Sequence, residues 1–383
     1  MVENRVLVAG DEYYATLAAV RALRSAGYAP WLASTTDRSL AGLSRATAGV
    51  RRVPHPSDGA AGFVEAMRRF ADEIAAVAVL PGTEPSLAAL AGRDLGRPTG
   101  APGVELVQRA TDKELLARLA AAAGLRSPES IRFRLPGDLP EIGCPAVLKP
   151  ARSTIRADGR TVDLPPAVRV NSPGALASAA SELPPGDYLA QPALDGRLGA
   201  LAGVAWEGAV MCVSQQVAER IHPPEAGASA FARTVPLDRD LVSGAEKLIG
   251  ALAWSGLWEL QYILAPDGPY LIDFNPRFYG SLALAIGAGL NLPAIWVDLL
   301  LGRTPRIGRY RPGVCFRAEG REARALAHAI RSGDVVGAAR ILTPRRRTVH
   351  AVFSLRDPRP LLSVAGPVRG SRTNVGTETR GSA

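Results

Sequence analysis

The chain has 383 residues, 47% hydrophobic and 21% charged, with a formal net charge of +9. That length exceeds one compact core and implies two or three domains. The positive charge is scattered, with only Arg345, Arg346 and Arg347 in a run, and aromatics make up 5%; a nucleic-acid surface asks for a concentrated basic stripe with interleaved aromatics, so no nucleic-acid partner is expected.

The chain opens with the strand-like run RVLVAG (5–10) and a helical spacing from Thr16 to Ala26. FVEAMRRFADEI (63–74) and AVAVLPG (76–82) continue the alternation, which predicts a parallel α/β sheet over roughly the first hundred residues. Gly10 stands alone after the first strand, so the backbone-approach glycines of a dinucleotide site are missing. GRPTGAPGVE is a Gly/Pro-rich boundary. TDKELLARLAAAAG follows, with Thr111 expected as N-cap and Glu114 completing a capping box. CPAVLKP (144–150) reads as a strand ending in lysine, and 151–169 as an arginine- and proline-rich loop. DYLAQPALDG is a further strand; LAGVAWEG and AVMCVSQQVAE form a hairpin around Glu207-Gly208, and 241–252 a helix. The stretch from Leu282 to Leu301 is apolar but interrupted by Asn291, Pro293 and Asp298; it falls short of the roughly 18 uninterrupted residues of a bilayer span and reads as buried helix and loop. From Arg306 the pattern weakens to one helix (322–332) and a strand (348–354), and the last dozen residues read as a disordered tail.

Two features of usage matter. Cys144, Cys212 and Cys315 are odd in number and in no metal spacing, and the N-terminus has no signal-peptide organisation, so a reducing cytoplasm is expected, with no membrane association. Lysines number three, Lys113, Lys149 and Lys247, against a large excess of arginine. A lysine kept under such a bias can mark a position where a compact ammonium is needed. That is the reading given to Lys113 and Lys149, while Lys247 on the 241–252 helix reads as an ordinary surface residue.

WELQYILAPDGPYLIDFN is a second hairpin. Pro266-Asp267-Gly268 is the recipe for a three-residue loop with a G1 bulge, so Ala265 should oppose Pro269, Gln261 face Asp273, and Glu259 face Asn275. Alternation then puts Trp258, Leu260, Tyr262, Leu264, Tyr270, Ile272 and Phe274 on a packed face, and Glu259, Gln261, Asp273, Asn275 and Arg277 on the face away from the core. Converging carboxylate and amide oxygens suit a hard cation such as Mg²⁺, and the adjacent arginine suits phosphate oxygens. The alternative is the solvated face of an edge hairpin. Ser281 could cap the helix after it or bind an anion there.

With DFNPRFYGS on that strand, the sequence resembles the ATP-grasp superfamily, in the branch of carbamoyl-phosphate synthase and the carboxylate-amine ligases. The resemblance runs over roughly residues 5–305 in four ordered landmarks: TDK with Lys113, CPAVLKP with Lys149, YLAQPALDG with Gln191, Ala193 and Leu194, and the metal hairpin. It implies an α/β and α+β architecture, the ATP-grasp fold behind an N-terminal Rossmann-like pre-ATP-grasp domain. The expected divisions are 1–105, then 106–305 with a lid at 125–193 and a metal and substrate part at 194–305, a C-terminal extension at 306–368, and the tail at 369–383. It further implies ATP bound by Lys113, Lys149, Ser153, Gln191, Ala193 and Leu194, Mg²⁺ (with Mn²⁺ as a substitute) on Gln261 or Glu259, Asp273 and Asn275, and Arg277 with Arg233 at the reacting groups. Arg220 is a weaker anion contact. The chemistry implied is acyl-phosphate formation from a carboxylate and attack by an amine, without a covalent enzyme nucleophile; small-molecule carboxylate and amine substrates are the partners, with homodimerisation allowed for. The loop at 151–169 lacks the family's Gly/Ser richness, and Pro192 stands where a hinge glutamate is usual. A nucleotide-binding protein that has lost turnover is therefore the alternative function. His222 and His55, each beside proline in a loop, read as structural.

Overall fold

The computed structural model describes residues 4–10, 14–36, 39–152, 154–157, 160–224 and 226–361. The chain begins with β1 (Arg5–Ala9), α1 (Tyr14–Ser25), β2 (Ala29–Ser34), β3 (Gly49–Arg52), α2 (Ala60–Glu73), β4 (Ala78–Pro81) and α3 (Glu84–Leu90). The strands form the expected parallel sheet, in the order β3-β2-β1-β4. Its central strands are apolar throughout because helices cover both faces; Val6, Leu7, Val8, Val79 and Leu80 have no exposed surface.

Two helices, α4 (Val104–Ala110) and α5 (Lys113–Ala122), lead out of this sheet. Asp112, not Thr111, caps α5: its carboxylate accepts from the amides of Glu114 and Leu115. Thr111 instead ends α4, with its hydroxyl donating to the Val107 carbonyl. The carboxylate wins because it is the stronger acceptor for helix-end amides.

A smaller sheet follows, from β5 (Ile131–Leu135), β6 (Ala146–Pro150), β7 (Thr154–Ala157), β8 (Arg160–Asp163), β9 (Val168–Val170), α6 (Pro173–Glu182) and β10 (Gly186–Pro192). The order is β5-β10-β6-β9, with β7 and β8 as a separate two-stranded hairpin. The stretch expected as an arginine-rich loop is thus partly strand. The sheet has a core of its own, with Phe133, Leu148, Leu176 and Tyr188 at its centre.

The largest sheet is built from β11 (Arg197–Trp206), β12 (Ala209–His222), β13 (Ala228–Thr234), α7 (Arg239–Leu252), β14 (Gly256–Ala265), β15 (Gly268–Asn275), α8 (Leu282–Gly287), α9 (Leu292–Leu300), β16 (Cys315–Arg317), α10 (Glu319–Arg331), α11 (Val335–Leu342) and β17 (Thr348–His350). Its order is β15-β14-β11-β12-β13-β16-β17, antiparallel except for the last pair. The β11–β12 turn is the expected hairpin, with Glu207 and Gly208 at φ 50 and 81, as a two-residue turn of that twist requires. The segment after 305 does not stand apart: β16 and β17 extend this sheet, and α11 lies where no regular element was expected. The tail lies outside the described residues.

Helix α7 covers one face, where Leu248, Ile249 and Leu252 cluster with Trp258, Leu260, Tyr262, Leu271 and Phe274. On the other face α8 and α9 join the sheet to the first domain, and Trp296 and Phe278 share a core with Val8, Leu17 and Leu80. Among the described residues no helix is long and apolar enough to cross a membrane.

Candidate functional site

The β14–β15 hairpin closes one residue tighter than expected. Ala265 opposes Gly268 across a two-residue turn, and Leu264 opposes Pro269. The register then shifts between Gln261 and Tyr262: Tyr262 faces Leu271, while Gln261 faces Asp273. Ile272 is therefore the extra residue of a bulge, which re-aims the strand at the site. The pairs Gln261–Asp273 and Glu259–Asn275 are those expected, but the bulge that produces them is at Ile272 and not at the turn. The packed face is corrected accordingly: Leu271 replaces Tyr270 and Ile272, and Tyr270 lies partly exposed under the guanidinium of Arg126, 4.3 Å from its ring centre.

The bulge has a direct chemical consequence. The carbonyl of Ile272 accepts a 2.8 Å hydrogen bond from Nζ of Lys149, which reaches across from β6 of the smaller sheet. Lys113, at the first position of α5, brings its ammonium to 3.7 Å from the Asp273 carboxylate. Both lysines are buried, at 7% and 9% exposure. Burial pulls the Lys149 ammonium down to about 8, opposed by Asp273 and reinforced by Lys113. Two ammonium groups from separate elements thus meet over one aspartate, in a cleft between the two sheets.

Behind them lies a buried polar chain, so the face expected to point away from the core is enclosed. Glu259 is 3% exposed and Asn275 6%. The Glu259 carboxylate accepts from Asn275 Nδ2 at 2.8 Å and Gln261 Nε2 at 3.1 Å. Arg277 donates to Asn275 Oδ1 at 3.0 Å and lies 3.9 Å from Glu84. Burial raises Glu259 to about 7, the Arg277 charge and the two amide bonds only partly offsetting it. Among the described residues no three His, Cys, Asp or Glu side chains cluster as a metal cage. Two carboxylates, Glu259 and Asp273, with the amides of Asn275 and Gln261, fit a Mg²⁺ that keeps waters and completes its shell with phosphate. A cation there would also relieve the cost of the buried carboxylate.

The other expected residues are placed as follows. Gln191, on β10 beside β6, donates to the Ser130 hydroxyl at 2.7 Å. Ala193 and Leu194 lie just past β10, with the Ala193 amide donating to the Pro145 carbonyl. Ser153 lies outside the described residues. Ser281 makes no side-chain cap; its hydroxyl accepts from Gln216 Nε2 at 2.6 Å. Lys247 is an exposed residue of α7.

Arg233 is not brought to this cluster. Residues paired across a ladder share a face, so Asp273, Gln261, Ala200, Gln216 and Thr234 form one row. Arg233, next to Thr234, points to the opposite face and pairs with Glu219 at 2.7 Å.

Glu84 was not anticipated. It opens α3, separated from β4 by Gly82 and Thr83, at the carboxyl end of a parallel strand, where α/β sheets place ligand-contacting groups. Together with Leu87, Val104, Val107, Arg152 and Thr154 it lines a cavity of about 210 Å³ beside the cluster.

Residues 199–319 match the family model described as ATP-grasp in the biosynthetic pathway with Ter operon. Solved structures resemble the chain over most of its length. An L-amino acid ligase from Bacillus licheniformis is 18% identical, with a TM-score of 0.63 over 82% of this chain and 79% of its own. The N5-carboxyaminoimidazole ribonucleotide synthetase from Thermus thermophilus is also 18% identical, with a TM-score of 0.58 over 81% of each chain. The biotin carboxylase domain of the Hydrogenobacter thermophilus 2-oxoglutarate carboxylase, solved with MgADP and bicarbonate, is 14% identical, with a TM-score of 0.58 over 82% of this chain and 73% of its own. No curated protein matches the sequence.

Proposed function

We propose, from the premise that this chain is an ATP-grasp protein, that it is an ATP- and Mg²⁺-dependent ligase joining a carboxylate to an amine. One observation carries the reading: Lys113 and Lys149 converge from separate elements on the Ile272–Asp273 step of the hairpin. That is a cradle for phosphates, and the likeness to an L-amino acid ligase supports the rest. The substrate carboxylate attacks the γ-phosphorus of ATP, giving an acyl phosphate and ADP; the amine nitrogen then attacks the acyl carbon and phosphate leaves. Lys113, Lys149 and Arg277 balance the charge on the transferring phosphoryl group, which is the main demand of such a step. Asp273, Glu259, Asn275 and Gln261 would hold Mg²⁺, which supplies further neutralisation of the phosphate oxygens. Gln191 near the end of β10, with Ala193 and Leu194 just past it, takes the adenine, and the cavity beside Glu84 leaves room for an organic substrate.

With Mg²⁺-ATP, pooled amino acids should raise ADP release several-fold over the protein alone, and hydroxylamine should trap the acyl phosphate as a hydroxamate. Tight ATP binding with no ADP from any pool would leave a nucleotide-binding protein without turnover. A second expectation concerns pH. Lys149 holds phosphate only when protonated, and its folded value is about 8. On this account ATP affinity should fall by up to about tenfold per unit above pH 8. Calorimetry from pH 7 to 9.5 checks this; a constant affinity would remove Lys149 from the phosphate site.

A further inference from the structure

A cavity of about 590 Å³ lies at the other end of the large sheet, between β12, β13 and β16 on one side and α10, α11 and the segment after them on the other. Arg220, Arg317, Arg340 and Arg345 line it, with His222 and His328. Arg220 and the arginine run beginning at Arg345, far apart in sequence, thus meet at one place. The floor is prearranged. Glu322, 4% exposed, accepts from Arg220 at 2.6 and 3.0 Å and lies 3.5 Å from Arg317. Both guanidiniums also stand over the ring of Phe231, at 5.7 and 5.6 Å. They are held in orientation by groups beneath them, which leaves donors for the cavity.

The charge is not balanced. The acidic lining residues, Glu219 and Asp334, are fewer than the arginines: Glu219 pairs with Arg233, and the Asp334 carboxylate caps α11 by accepting from the Gly337 amide. Among the described residues neither Arg340 nor Arg345 forms an ion pair. Further positive charge lies near His222: burial first, and then Arg324, His328 and Arg321, hold its imidazole below the usual value. Its Nδ1 is buried with no hydrogen-bond partner among the described residues.

We propose that this cavity binds a small phosphate-bearing molecule at a site separate from the nucleotide cleft. The floor arginines sit on strands and the outer arginines on α11 and the following segment, so guanidiniums approach from two sides. That arrangement suits a tetrahedral group with several terminal oxygens better than one planar carboxylate, which a single guanidinium fork satisfies. Separation from the cleft follows from the sheet: Phe231 lies two residues from Arg233 and shares its face, opposite the row of Gln261 and Asp273.

Pyrophosphate is the probe, titrated calorimetrically into the full chain and three variants. Saturable binding is expected, weakened roughly tenfold or more by Arg340→Glu and by Arg345→Glu and retained in Lys149→Met. Both arginines are exposed, so their melting temperatures should match the parent. Binding lost in Lys149→Met but kept in the arginine variants would place pyrophosphate in the nucleotide cleft and overturn the proposal. So would the absence of saturable binding, or a preference for citrate over pyrophosphate at equal ionic strength.

Discussion

Lys149→Met should lower ATP-dependent ADP release by about a thousandfold while leaving the fold as stable as the parent or more so. The activity loss follows from removing a positioned charge at a transferring phosphoryl group, where single electrostatic contacts are worth about 3–4 kcal/mol. The stability effect has the opposite sign. The ammonium is 7% exposed, and burial brings it from 10.5 to about 8; at 1.36 kcal/mol per unit, its charged form costs roughly 3 kcal/mol on folding. Methionine has a similar shape and no charge to dehydrate, though the bond to the Ile272 carbonyl, worth about 1 kcal/mol, is lost with the ammonium. The pH dependence separates these contributions. The unfolded lysine binds protons more tightly than the folded one, so the parent should gain stability as pH rises from 8 to 10.5, and be level below 8 on this account. Lys149→Met should lack that rise. Urea titrations at pH 7 and 10 measure it. A variant that loses several kcal/mol at neutral pH would show that the lysine serves packing.

Trp296→Ala should destabilise the chain by about 4 kcal/mol, the range for emptying a buried tryptophan site. Trp296 is 1% exposed on α9 and meets the ring of Phe278 edge-on at 6.0 Å. A Cβ on Gly100 would overlap its ring, and one on Gly256, at φ +131, would touch it at 3.2 Å. Two glycines thus leave room for one indole between the first domain and the large sheet. Phe278 adjoins Arg277, so activity should fall further than the unfolded fraction explains. A loss under about 1 kcal/mol in the urea midpoint would mean that the neighbouring side chains refill the space.

The first sheet was legible because its strands are buried on both faces and separated by helices with clear spacing. The facing pairs of the β14–β15 hairpin were legible because alternation carries the information locally. The Ile272 bulge was not, since nothing in PYLIDFN distinguishes a shifted ladder from a regular one. It is decided by the packing of Leu271 beneath α7 and by Lys149 arriving from 123 residues away. Arg233 misled for a related reason: one step along β13 separates Thr234, in the row with Asp273, from the opposite face. Glu84 escaped because a lone acid at a helix start also reads as a capping residue. The cap of α5 turned on Thr111 and Asp112 being neighbours, and spacing alone does not choose between them.

Lys149 is buried and bonded to the Ile272 carbonyl, so much of the cost of dehydrating its ammonium belongs to the folding of the chain. On the proposed function, a phosphate oxygen that takes one of its remaining N–H donors need not strip the ammonium of a full hydration shell. The same Lys149–Ile272 bond tethers the smaller sheet to the larger, so the ammonium proposed to hold phosphate also fixes how the two sheets meet.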